Sequence, residues 1–419
     1  MYNATTLEEI SLPANSLSGV LSEKMLQLVN LTILDLSYNQ LSGMLPHHIG
    51  IFSKLKLLVL DFNSLEGTLP PSLTNCMNLV ELRLANNFFE GEISRINFSN
   101  FIQLSKLDLR KNNFTGTFPI SLYSCKSLKA IRLSYNYLEG EIQPEILSLK
   151  SLSFLSLGEE LPADLGIVQD FDGFQNLRLL DLSYCELTGQ IPLWWLSKLK
   201  KLQMLNLYSN RLSGSIPTWL GTLPMLFYIG LDNNLISGEF PKELCGLPAL
   251  VSKQTPAQVD DIDLELAIYG YKCATLVQYK LSYFPPAIYI DNNTISGNIP
   301  TEIGQLQLLH KLSLSNNNFS GNIPENMSNL KNLEILDLSM NHLSGKIPPS
   351  LASLNFLSSF NVSYNNLDKY QQVLSSKASM PLHLRGTPNF VLHRFQMNAY
   401  QIQRREMRKT TTTTTTMVI

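Results

Sequence analysis

A sixteen-letter frame, L-x-x-L-x-L-x-x-N-x-L-S-G-x-I-P, returns every 24 or 25 residues along this chain of 419. It stands nearly letter for letter at Asn39, with Leu31, Leu34, Leu36, Leu41, Gly43 and Pro46, and again at Asn210 and Asn341. Its asparagine recurs at Asn15, Asn39, Asn63, Asn87, Asn112, Asn136, Asn210, Asn234, Asn293, Asn317, Asn341 and Asn365. Glu160 and Cys185 keep the register in asparagine's place, which makes 14 turns. A coil this short cannot bury an apolar face alone, so such a period implies a stack of like coils with one continuous core. One interval breaks the rule: 59 residues separate Asn234 from Asn293, an excess of 35 lying roughly between Val251 and Pro285.

Each turn has a physical reading. The L-x-L segment alternates with period two, as a short strand does when its leucines point inward and the residues between them point out. The asparagine amide can satisfy backbone groups that the bend leaves unpaired. Glycine then serves where the backbone bends, and proline where no donor is needed. The expected fold is a leucine-rich-repeat solenoid: parallel strands on a concave face, irregular or 3-10 turns on the convex face, and one inserted island. Fourteen strands at about 4.8 Å span roughly 60 Å. The expected divisions are repeats over 1–250, the insertion over 251–285, repeats over 286–367, and a tail over 368–419.

Charge narrows the function classes. Residues 370–419 hold seven Lys/Arg and one acid, Glu406, leaving 25 basic against 33 acidic residues in the remainder. An acidic solenoid argues against nucleic-acid binding. The tail, with Arg404, Arg405, Arg408 and Lys409 before seven threonines, reads as low-complexity sequence. No run of 18 apolar residues suggests a membrane span, and Met-Tyr-Asn-Ala-Thr-Thr enters a repeat without a secretion signal. Yet eight N-x-S/T sequons occur, at Asn3, Asn30, Asn97, Asn113, Asn292, Asn318, Asn326 and Asn361, and together they favour a secreted, glycosylated ancestry. Cys76 and Cys125 occupy equivalent repeat positions and read as buried thiols. Cys245 and Cys273 could tie down the insertion. No cysteine or histidine spacing suggests a metal, and no cofactor motif occurs.

The L-S-G-x-I-P variant resembles the plant extracellular leucine-rich repeats of receptor-like kinases and receptor-like proteins. A more specific resemblance rests on Phe171-Asp-Gly-Phe-Gln-Asn-Leu177, on the run from Trp219 to Tyr228, and on Phe240-Pro-Lys-Glu-Leu244 with Leu247-Pro-Ala-Leu250. Phe284-Pro-Pro-Ala-Ile-Tyr289, leading to Ser296-Gly-Asn-Ile-Pro300 and Ile303-Gly-Gln-Leu306, completes it. These segments are similar to the tyrosine-sulfated glycopeptide and phytosulfokine receptors, with the insertion where that family carries its island. The resemblance implies an ectodomain at the plasma membrane or outside the cell. It also implies a small secreted peptide ligand, with or without tyrosine sulfation, and a leucine-rich-repeat co-receptor kinase. The chain itself carries no phosphate loop or kinase motif, so it is not expected to be an enzyme.

Residues flanking the inward leucines face the concave surface and supply two candidate clusters. Arg83, Lys106, Arg110, Lys111 and Arg132, with Asp108 among them, form a basic column on successive turns. Such a column could grip an anionic group or could be a partly self-neutralised solvated face. Nearer the insertion stand Asp181, Ser183, Tyr184, Asn206, Tyr208, Tyr228 and Asp232, then Tyr289 and Asp291. Tyrosine and asparagine give flat contact area and hydrogen bonds at low entropy cost. Within the insertion Asp263, Glu265, Tyr269 and Tyr271 complete the expected ligand contacts, and the alternation from Ile262 to Ile268 suggests a strand. Strand addition at such an edge would suit an extended peptide.

Two other readings remain open. One is an inhibitor-like scaffold that grips a folded protein, although simple solenoids of that kind carry no such insertion. The other is a truncated, non-functional product. Solenoid ends need polar caps, and Leu7, Ile10 and Leu12 have no preceding coil in this sequence, so self-association is expected.

Overall fold

The computed structural model describes residues 5–140, 142–158, 173–191, 196–251, 268–272, 275–279 and 284–368. Every frame contributes one three-residue strand to a single parallel sheet of 14. In order they are β1 (Glu9–Ser11), β2 (Ile33–Asp35), β3 (Leu57–Val59), β4 (Glu81–Arg83), β5 (Lys106–Asp108), β6 (Ala130–Arg132) and β7 (Phe154–Ser156). There follow β8 (Leu179–Asp181), β9 (Met204–Asn206), β10 (Tyr228–Gly230), β11 (Ala287–Tyr289), β12 (Lys311–Ser313), β13 (Ile335–Asp337) and β14 (Ser359–Asn361). Each pairs with the next in sequence, so strand number equals turn number.

The middle residue of each strand points into the core. Leu34, Leu58, Leu82, Leu107 and Ile131 are all fully buried and stack turn upon turn. Across the coil the frame's proline opens a short 3-10 turn, with Pro70 at φ −65° and Pro324 at φ −65°. Proline's fixed φ suits that position, and its missing N–H costs nothing there. The frame's glycine has a geometric reason as well. Gly43 has φ 73°, and a Cβ there would sit 2.9 Å from Val20 Cγ1 on the previous turn.

The ladder asparagines do what the frame implies. Asn63 Nδ2 donates to Leu36 O (3.0 Å) on the preceding turn and to Leu60 O (3.1 Å) on its own, while its Oδ1 accepts from Leu41 N (3.0 Å). At turn 8 Cys185 takes the position, and Asn210 Oδ1 accepts from both Cys185 N (3.0 Å) and Leu187 N (2.9 Å). Glu160 lies outside the described residues. The residue before each ladder asparagine carries a left-handed φ, as at Tyr38 (55°), Lys111 (56°) and Met340 (54°), a feature the frame does not announce.

The insertion leaves the frame undisturbed. β10 pairs directly with β11, Ile229 opposite Ile288, across the 59-residue interval. Within it, Ile268–Lys272 and Thr275–Tyr279 form an antiparallel hairpin, Ile268 opposite Tyr279. The strand expected over 262–268 falls outside the described residues except at Ile268, where the first hairpin strand begins. Asp263, Glu265 and the tail 369–419 lie outside them too. Cys245 is a fully buried free thiol and therefore does not tether the insertion. Cys273 is outside the described residues. Cys76 and Cys125 are buried as expected, their thiols directed at Ile49 O (3.6 Å) and Phe98 O (3.2 Å), and burial pushes them up to about 12 and about 11.

At the first coil Leu12 and Leu17 are exposed and Leu7 is half-buried, but Ile10 is buried, against expectation. Its side chain points into the first coil's own core, which the second coil covers from one side; cover from both sides is not required. At the last coil Phe356 and Tyr364 are exposed. No helix among the described residues is long and apolar enough to cross a membrane.

Candidate functional site on the concave face

The concave floor changes chemistry along its length. In turns 3 to 6 it is ionic. Arg83 Nε and Nη2 donate to Asp61 Oδ2 at 2.9 and 2.7 Å, Lys106 Nζ meets Glu81 Oε1 at 2.7 Å, and Arg132 Nη1 meets Asp108 Oδ2 at 3.0 Å. Arg132 is 5% exposed and lies over the Phe154 ring, 4.9 Å from its centroid; Arg110 lies over Tyr135 at 4.8 Å. Of the two readings of the basic column, these pairs favour the self-neutralised one: Arg83, Lys106 and Arg132 each face an acid on the preceding turn. An incoming sulfate or carboxylate would have to displace that acid first. Burial, followed by neighbouring Arg110, also lowers the Lys111 ammonium below its usual range.

Asp61 gives this region a pH signature. Burial raises its carboxyl from 3.8 to about 6, only partly offset by Arg83 and by the hydrogen bond from Ala85 N (2.8 Å), with the Asp108 charge adding to the rise. Between pH 6 and 3.8 the folded state therefore holds a proton that the unfolded chain lacks. Stability from this group increases as pH falls through that window, and above pH 6 the buried charge is a standing cost. Asp61→Asn should remove this dependence, changing the wild-type-minus-variant stability by on the order of 1–3 kcal/mol between pH 7 and pH 4. Paired thermal melts across that range check it; parallel curves would contradict it.

In turns 7 to 11 the floor becomes polar and aromatic. Asp181 Oδ1 accepts from Ser183 Oγ (2.8 Å) and Asn206 Nδ2 (2.9 Å), and its Oδ2 from Ser156 Oγ (3.1 Å). Asn206 Oδ1 in turn accepts from Tyr208 N at 3.3 Å. These bonds hold Asp181, Ser183, Asn206 and Tyr208 as one connected patch. The rings of Tyr184 and Tyr208 meet edge-on, centroids 5.0 Å apart. Tyr228 and Tyr289 lie 5.8 Å apart on the adjacent strands flanking the insertion. Between Asn206 and Tyr289 along the floor stands Gly230, where a Cβ would come within 2.6 Å of Asn206 Oδ1. The residue without a side chain leaves the room that the Asn206 amide fills, so Gly230 is itself buried, a feature the sequence signalled only as a glycine outside the frame's glycine position. Asp232 and Asp291, one strand position further on, are buried at 5% and 3% exposure. Tyr269 and Tyr271 lie in the first hairpin strand.

The sequons differ in setting. Asn97, Asn318 and Asn326 are exposed, whereas Asn30, Asn113 and Asn361 are half-buried, and Asn3 lies outside the described residues. Asn292 is exposed, but its amide bridges Asn233 and Asn316 in a rim ladder of three asparagines. Among the described residues no group of three His, Cys, Asp or Glu could hold a metal ion.

Such an arrangement, one parallel sheet lining an elongated concave face, defines the class as a leucine-rich-repeat solenoid. Comparison with known proteins agrees on the repeats. Leucine rich repeat families match residues 175–236 and, as single repeats, 30–51, 54–76, 103–125, 308–330 and 332–354. The chain is similar to Receptor-like protein 3 of Arabidopsis thaliana, 44% identical over 256 residues, covering 53% of this chain and 34% of that protein. It is also similar to Phytosulfokine receptor 2 of Arabidopsis thaliana, 39% identical over 172 residues, covering 40% of this chain and 16% of the receptor. Among solved structures, the plant peptide hormone receptor RGFR1 in complex with RGF2 superposes with a TM-score of 0.68 and 26% identity, covering 87% of this chain and 56% of that one. The chain spans about a third or less of the length of these two curated relatives.

Proposed function

We propose that the chain is the ligand-binding part of a plant cell-surface receptor that takes a small secreted peptide along β8 to β11, beside the insertion. The observation that carries this reading is the patch of Asp181, Ser183, Asn206 and Tyr208 running up to the paired rings of Tyr228 and Tyr289 beside the insertion. An extended peptide laid there would hydrogen-bond Asn206 and Ser183 and place an apolar or aromatic side chain against the tyrosines. Asp232 supplies an acidic end to the patch, and Asp263, Glu265, Tyr269 and Tyr271 of the insertion are the further ligand contacts of this proposal. Signalling then needs a co-receptor kinase, and the site of action is the plasma membrane or the extracellular space, with the sequon asparagines glycosylated. Support comes from the similarity to Phytosulfokine receptor 2 and to a receptor whose structure contains a bound peptide hormone.

Calorimetric titration of the folded chain with tyrosine-sulfated peptides and their unsulfated twins tests the reading. Binding to either should weaken at least tenfold in Asn206→Ala/Tyr208→Ala, whose melting transition should stay close to wild type. Equal affinity in that variant would remove the site from this face. A sulfate-dependent difference that survives Arg83→Gln would show that Arg83 is not the sulfate contact.

A further inference from the structure

A second surface lies away from the concave floor, on the lateral edge where each convex turn runs back into its strand. Four aligned four-residue segments, 126–129, 150–153, 175–178 and 200–203, read K-S-L-K, K-S-L-S, Q-N-L-R and K-K-L-Q. They hold six cations, Lys126, Lys129, Lys150, Arg178, Lys200 and Lys201, and no acid. Their alignment is structural. Ser153 N donates to Lys129 O, Arg178 N to Ser153 O and Gln203 N to Arg178 O, each at 2.8 Å, so the segments stack turn on turn. Five of the six are exposed and Arg178 is half-buried. Among the described residues none of the six forms an ion pair: Lys126 Nζ reaches Ser148 Oγ (2.7 Å) and Lys201 Nζ reaches Asn176 Oδ1 (2.7 Å), both neutral. The contrast with the concave floor, where Arg83, Lys106 and Arg132 face acids, is complete. Turn 10 ends the band, its corresponding segment 224–227 reading P-M-L-F.

We propose that this band, on turns 6 to 9, docks a linear acidic polysaccharide of the polyuronate kind. Three observations favour that occupant. The cations recur with the turn spacing, over a length of about 14 Å, which suits a polymer bearing one carboxylate per sugar ring and running along the solenoid axis. The four leucines of the segments, Leu128, Leu152, Leu177 and Leu202, are fully buried, so the band lacks the exposed apolar centre of a protein interface. Ser127, Ser151, Asn176 and Gln175 stand among the cations and can meet sugar hydroxyls. Attachment is through released counterions and charge-assisted hydrogen bonds, so salt weakens it.

Binding of the full chain to immobilised polygalacturonate, to a neutral galactan and to anionic phospholipid vesicles tests the proposal. Lys126→Gln/Lys150→Gln/Lys200→Gln/Lys201→Gln should lose at least tenfold in affinity for polygalacturonate and show a flatter salt dependence. The control Lys54→Gln/Lys56→Gln on turn 3 should bind as wild type does. The seven tail cations are common to all three proteins, so the ratio reads the band alone. Equal affinity of the quadruple variant, equal retention on the neutral polymer, or band-dependent binding to vesicles in preference to polygalacturonate would each overturn it. Matching circular dichroism melts exclude misfolding as the cause, since all four side chains are exposed.

Discussion

Asn317→Ala should lower stability by about 3 kcal/mol, while Asn318→Ala, one residue along, should change it by less than about 0.5 kcal/mol. The chain reads Asn-Asn-Asn at 316–318, and the three identical side chains have three different settings. Asn317 is 6% exposed. Its Nδ2 donates to Ile290 O at 3.0 Å on the preceding turn and to Leu314 O and Ser315 O at 3.2 Å on its own, while its Oδ1 accepts from Ile295 N at 3.0 Å. Removing the amide strands the buried Ile295 N–H, and a buried donor left without an acceptor costs about 1–3 kcal/mol by itself. The three carbonyls each lose one bond besides. Asn318 is exposed, with a single contact to Thr294 O at 3.5 Å. A solenoid's stability is the sum of its coils and the couplings between neighbours. The loss should therefore fall on the coupling between turns 11 and 12 and split the denaturation curve, rather than shift it whole. Urea unfolding followed by circular dichroism distinguishes the variants; equal midpoints would mean that the asparagine ladder does not hold the coils together.

Those three asparagines also show where the sequence was readable. The 24-residue period alone selects Asn317 over its neighbours, because it places that residue in register with Asn293 and Asn341. Pro70 and Gly43 were legible for the same reason, since their roles lie within one coil and repeat in every coil. The pairing of Arg83 with Asp61 was not. It joins residues 22 apart on adjacent turns, and the column of strand-flanking residues on turns 4 to 6, which holds Arg83, Arg110, Arg132 and Asp108, leaves out Asp61 on the turn before. The patch near the insertion was half-visible: the residues were named, but the rings of Tyr228 and Tyr289 pair across strands that a 59-residue interval separates. The hairpin at 268–279 was not legible, because its first strand carries Gly270 and alternates less cleanly than Ile262 to Ile268 before it.

Asp108→Asn should cost about 3 kcal/mol or more, although the new side chain has nearly the same shape. Asp108 is 3% exposed and Arg132 5%, so the pair is shielded from water and its charges are not screened. Taking two ions out of water is expensive, and their attraction at 3.0 Å repays it only while both are present. Asparagine can still accept at the Arg110 N position, where Asp108 Oδ1 now sits at 3.1 Å, but it leaves the Arg132 guanidinium without its carboxylate. Burial already lowers the Arg132 pKa from its usual value, and the Asp108 charge is the largest influence opposing that shift. The double variant Asp108→Leu/Arg132→Met should regain most of the loss, because an apolar pair of similar volume pays no desolvation cost. A double-mutant cycle by chemical denaturation measures the coupling. A strongly positive coupling makes turns 3 to 6 a structural wall and leaves ligand recognition to the tyrosine-lined turns beside the insertion. A coupling near zero would mean that Arg132 can leave Asp108 cheaply, which would restore the ionic turns as a contact for an anionic ligand.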